Sequence, residues 1–103
     1  DAAVHYMQEN IGNRIKLADV IHYVGYSQSH FSQLFRHQKG VSPLAYFNQM
    51  KVEYACKMLR ETDMKINQIC YKIGIEDPFY FSRMFSKIVG MSPSEYRTNI
   101  ISY

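Results

Sequence analysis

The strongest constraint on this chain is a phrase written twice. Residues 31–46 read FSQLFRHQKGVSPLAY, and residues 81–96 read FSRMFSKIVGMSPSEY. Phe31 and Phe81, Phe35 and Phe85, Gly40 and Gly90, Pro43 and Pro93, and Tyr46 and Tyr96 all stand 50 residues apart. Upstream the offset is 49, pairing Leu17 with Ile66, Val20 with Ile69, Val24 with Ile73 and Gly25 with Gly74. The second copy therefore carries one extra residue between Gly74 and Phe81. Self-similarity of this kind means one supersecondary unit used twice.

Apolar spacing makes that unit helical throughout. Val4, Met7 and Ile11 predict a first helix over 1–11, with Asp1 at its start and Gly12 as its stop. Leu17, Val20, Ile21 and Val24 predict a short helix ended by Gly25. Ser27 is an N-cap candidate, and Phe31, Leu34 and Phe35 stripe a third helix that Gly40 ends. Short helix, Gly turn, Ser cap and second helix are the sequence form of a helix-turn-helix. Ser42-Pro43 then opens a long helix reaching about Glu61. Ile66, Ile69, Cys70 and Ile73 repeat the short helix, with Gly74 expected to need a positive φ. Asp77-Pro78 starts the sixth helix, striped by Phe81, Met84, Phe85 and Ile88, and Gly90 ends it. Ser92-Pro93 opens a last short helix through Arg97, with a frayed tail beyond. The expectation is an all-α domain of seven helices. Residues 1–41 form one helix-turn-helix unit, 42–62 a linker helix and 63–103 a second unit.

Composition bounds the function. Hydrophobic residues at 47% suffice for a core, and a net charge of +3 permits a nucleic-acid partner without demanding one. Cys56 and Cys70 fall in apolar patterns and read as buried thiols of a reducing cytoplasm. No apolar run approaches the ~20 residues that span a membrane. The first residue is Asp1 rather than Met, so the chain is expected to be part of a longer protein.

The stretch IGIEDPFYFSRMFSKIVGMSPSEYR, residues 73–97, together with KVEYACKMLRET, residues 51–62, resembles the DNA-binding domain of AraC/XylS-family transcription regulators. The resemblance covers about residues 3–97. It implies two helix-turn-helix units on a rigid linker, reading successive major-groove faces of double-stranded DNA at a promoter. It also implies a cytoplasmic bacterial regulator, most often an activator that touches RNA polymerase, with a separate N-terminal region for sensing or dimerisation. The family has a small residue where the helices of each unit cross. Ile21 and Cys70 stand there, and Ile21 is expected to open or tilt the first crossing.

The residues themselves support DNA reading. Removing the buried stripe of the third helix leaves Ser29, Ser32, Gln33 and Arg36; the sixth leaves Phe79, Ser82, Arg83 and Ser86. Gln matches adenine and Arg guanine in bidentate pairs, and an apolar ring suits a thymine methyl. Phosphate contacts are expected from Ser27, Gln28, Lys39, Lys51 and Lys87, each otherwise an ordinary surface group. Of the four histidines, only His30 stands next to the reading surface.

His30 and His37 share a helical face but lie about 10 Å apart along it, too far to share a metal. No cofactor is expected. Glu76 and Asp77, adjacent at a helix start, suit its dipole better than acid–base catalysis. With no phosphate loop or nucleophile motif, an enzyme is not expected. Two rivals remain. A helical protein-interaction module would not need Arg36 and Arg83, without acids, on the reading faces. A sequence-indifferent DNA binder would need more charge and interchangeable recognition helices, yet Gln33 and Arg83 differ at the equivalent place.

Overall fold

The computed structural model describes residues 1–101, with side chains through Asn99. Seven helices and no strand are present among the described residues: α1 (Ala2–Asn10), α2 (Leu17–Val24), α3 (Gln28–Lys39), α4 (Pro43–Glu61), α5 (Ile66–Lys72), α6 (Pro78–Val89) and α7 (Pro93–Ile101). The expected starts are there in atomic detail. Ser27 Oγ accepts the His30 N–H at 3.2 Å, Ser42 Oγ that of Ala45 at 3.1 Å and Ser92 Oγ that of Glu95 at 3.1 Å. The Asp77 carboxylate accepts from Phe79 N–H at 2.9 Å. Such caps satisfy donors that the first helical turn leaves orphaned.

The repeat is also a repeat of packing. Phe35 meets Tyr46 edge-on at 5.4 Å, and Phe85 meets Tyr96 edge-on at 5.7 Å. Each Tyr, standing just after Ser-Pro, thus braces its unit against the helix that follows. Tyr96 also accepts a hydrogen bond from the Arg60 guanidinium at 2.8 Å, tying α7 to the linker. Beside it, Arg97 donates to the carbonyls of Leu59 and Thr62, at 3.2 and 3.1 Å, and closes the C-terminus of α4. Tyr96→Ala is expected to lose about 1–3 kcal/mol in thermal unfolding, from ring packing and the lost hydroxyl contact together. Tyr96→Phe is expected to lose only the smaller, hydroxyl share. An unchanged melting temperature for Tyr96→Ala contradicts the bracing role.

Two cores share the linker. Met7, Val20, Phe31, Phe35 and Phe47 centre the first, while Val52, Ala55, Leu59, Ile69, Ile73, Phe81 and Phe85 centre the second. Helix α4 hands its buried side from one to the other, and the molecule is elongated, 45 × 23 × 22 Å. Cys70 is buried in the second core, where burial pushes its thiol up to about 11. Ile21 packs half-buried against the first core. The extra residue of the second copy lies in its turn. Ile75 after Gly74 is buried in the second core at 7% exposure, whereas Tyr26 after Gly25 stays exposed.

The units touch directly as well. The Arg14 N–H donates to the Lys72 carbonyl at 2.9 Å, and its guanidinium lies 3.8 Å over the Tyr71 ring while donating to Tyr71 Oη at 2.8 Å. Lys16 Nζ donates to the Gly74 carbonyl at 3.1 Å. This clasp needs Arg14 at φ 58, a region L residues seldom occupy, so its contacts must offset that strain.

Three expectations are corrected. Gly12 is not a left-handed helix stop, because α1 ends on Ile11 at φ −58. The Tyr54 hydroxyl instead lies close over it, 2.5 Å from where a Cβ would stand, so a larger residue there would have to displace that ring. Ile88 is exposed rather than part of the α6 stripe, lying in a groove between α4 and α6. The last helix runs past Arg97 to Ile101; the final two residues of the expected tail lie outside the described residues.

Candidate nucleic-acid interface

The two candidate reading faces are built by the same local logic. A capped N-terminus fixes each helix, a Phe pair nails one side into its core, and the opposite side is left to solvent. On α3, Ser29, Gln33 and Arg36 are exposed and Ser32 is half-buried beside them. Gln28 is exposed at the helix start, but the Ser27 hydroxyl is occupied as the cap. His30 is exposed with its ring 4.9 Å from that of Tyr26. On α6, Phe79 and Arg83 are exposed one turn apart, and Ser82 and Ser86 are half-buried. Phe79 is 76% exposed, which for an apolar ring of that size wants an explanation. Neither α3 nor α6 contains an Asp or a Glu. The helices themselves therefore carry none of the charge that would repel a phosphate backbone, and Glu76 and Asp77 stand exposed just before α6.

The expected phosphate contacts are placed less uniformly. Lys87 is exposed and follows Arg83 along the groove between α4 and α6. Lys39 lies 3.7 Å from the Asp1 carboxylate, so it is partly committed to closing α1 onto α3. Lys51 is not a surface group. It is 6% exposed, with its ammonium 4.4 Å over the Phe47 ring. Burial first, and the Lys16 charge second, hold its ammonium down at about 8, against 10.5 for an ordinary lysine. The folded state thus binds that proton less tightly than the unfolded one. The penalty is complete below about pH 8, and it fades as pH rises from there toward 10.5, so this group makes the fold more stable in base.

Residues the sequence reading passed over join the site. Arg83 borders both clefts between the linker and α6, with Asn48 and Tyr80 facing it. Asn48 and Tyr80 follow no motif, and only the packing of α6 on α4 brings them together. Among the described residues no group of His, Cys, Asp and Glu is placed to hold a metal, and no helix is long and apolar enough to cross a membrane.

Two helix-turn-helix units on a shared linker helix, each presenting an acid-free polar face, define a double helix-turn-helix domain. A family model described as a helix-turn-helix domain matches residues 20–99. The chain is 35% identical over 95 residues to the MmsAB operon regulatory protein of Pseudomonas aeruginosa, an alignment covering 92% of this chain and 31% of that protein. Among solved structures it resembles the C-terminal domain of AraT, a response regulator from Geobacillus stearothermophilus, with a TM-score of 0.84 at 26% identity over 94% of this chain and 81% of that one. An AraC-type regulator from Chromobacterium violaceum gives a TM-score of 0.82 at 27% identity, over 96% and 88%. The chain belongs to the AraC-type family of helix-turn-helix transcription regulators. It spans about a third of the length of the curated relatives it matches.

Proposed function

We propose that this domain reads a bipartite site on double-stranded DNA and thereby regulates transcription, most naturally as the DNA-reading part of a bacterial activator. Helix α3 reads one major-groove segment through Ser29, Ser32, Gln33 and Arg36. Helix α6 reads the next through Phe79, Ser82, Arg83 and Ser86. Ser27, Gln28, Lys39, Lys51 and Lys87 lie toward phosphates. Residues 1–41 and 63–103 act as the two reading units, and 42–62 set their spacing. The whole protein works in the cytoplasm, where a preceding region senses a signal or dimerises and this domain contacts RNA polymerase. Catalysis has no part in this reading.

The observation that carries the proposal is the pair of exposed, acid-free faces on α3 and α6, with Arg and Gln where base edges would be met. A lone bidentate Arg–guanine pair is worth about 1–3 kcal/mol of discrimination. Arg83→Ala is therefore expected to lose about 1–3 kcal/mol on the preferred duplex and to relax one base position, with little loss on random duplex. The check is a fluorescence-anisotropy titration of both duplexes at fixed salt. Equal losses on the two would contradict direct reading by Arg83.

A further inference from the structure

At the point where α4 passes from one core to the other stands Lys51. It is buried, one turn beyond Phe47, and among the described residues it has no hydrogen bond and no carboxylate within ion-pair distance. No buried side-chain nitrogen or oxygen among the described residues lacks a partner, so the unbonded ammonium must keep an edge open to solvent. That edge gives onto a cleft of about 450 Å³ between the two units, bounded by Lys16, Asn48, Tyr80 and Arg83. Two carboxylates also border the cleft. Glu76 lies 3.9 Å from Lys16 Nζ, and Asp77 caps α6.

A buried cation with no counter-charge weakens the fold, and an apolar side chain would serve both cores better. Its presence is explained if an anion enters the cleft. Lys51 offers three N–H donors and Asn48 two more, while Arg83 adds positive charge at the wall. Arg83 belongs to the α6 reading face as well as to this cleft, so a duplex held on α6 brings its backbone toward Lys51.

We infer that the cleft between the two units is a phosphate receptor whose buried cation is Lys51, filled in the DNA complex by a backbone phosphate between the two half-sites. This rests on the DNA-reading proposal and adds to it the place where the two units grip the backbone jointly. It also makes Lys51 a residue kept for binding at the expense of stability.

The test is Lys51→Met in the whole chain. The variant is expected to melt at a higher temperature than the parent below about pH 8, and to bind duplex roughly tenfold more weakly near physiological salt. Its loss should be the same on preferred and random duplex, and the slope of log affinity against log salt should fall by about one unit. Side-chain NMR titration of Lys51 separates the sources of the anion. Saturation with the preferred duplex should raise its titration above that of the free protein, and inorganic phosphate at millimolar concentration should leave it in place. An equal rise with inorganic phosphate supports the receptor but shows that it takes free anions too. If the parent bound no duplex and phosphate still moved Lys51, the DNA reading would fall and the receptor would stand. A parent that binds duplex, with Lys51→Met unchanged in affinity and salt slope and Lys51 unmoved in its titration, overturns the inference.

Discussion

Gly74→Ala is expected to destabilise the domain by about 2–5 kcal/mol, whereas Gly25→Ala, its counterpart in the repeat, should cost about 1–2 kcal/mol. The backbone demand is the same at both, φ 78 at Gly74 and φ 80 at Gly25. The surroundings differ. A Cβ at Gly25 meets open space, while one at Gly74 would lie 2.8 Å from the Ile15 carbonyl oxygen. That carbonyl has little room to retreat, because its neighbours Arg14 and Lys16 are both bonded to the second unit. The substitution must therefore either strain the turn or open the clasp between the units. Urea unfolding of both variants measures the difference, and equal losses would mean that the clasp yields freely. Loss of the clasp should also weaken binding to a two-box duplex more than to a single box.

Phe47→Ala carries the other large effect, a loss of about 3–5 kcal/mol out of the 5–15 kcal/mol typical of a domain. Phe47 is wholly buried in the first core and also lies under the Lys51 ammonium, so its removal empties one core and uncovers the charge above it. The second core does not include it. Hydrogen exchange should accordingly show amides of α2 and α3 losing protection before those of α5 and α6. Uniform loss across all helices would mean that the linker and clasp make the two units unfold as one.

Much of this was legible in the repeat. Ser-Pro pairs, Gly turns and Phe stripes recur because each copy must cap, stop and bury the same two helices, and six of the seven helices follow from them, α1 coming instead from its own apolar spacing. What failed to show has physical reasons. The strained Arg14 has no local signature, since its contacts come from Tyr71 and Lys72, far away in the chain. Gly12 reads as a helix stop, but what sits against it is the Tyr54 ring, far away in the chain. Ile88 keeps the spacing of the α6 stripe yet stays exposed at the groove between α4 and α6. Lys51 is the instructive case, because its signal was present. Phe47, Lys51, Ala55 and Leu59 stand four apart on α4, and all four are buried. A lysine in the middle of an apolar row points to a charge held inside, and taking it for a surface group concealed the cleft.

The most direct test of the central claim is selection of bound duplexes from a random pool by this domain at near-physiological salt. The account predicts two short enriched boxes about one helical turn, roughly 34 Å, apart, one for each recognition helix. Substituting Arg83 should then degrade one box and Gln33 the other. No enriched sequence, from protein shown to be folded, would contradict the account and leave a helical module that binds other proteins.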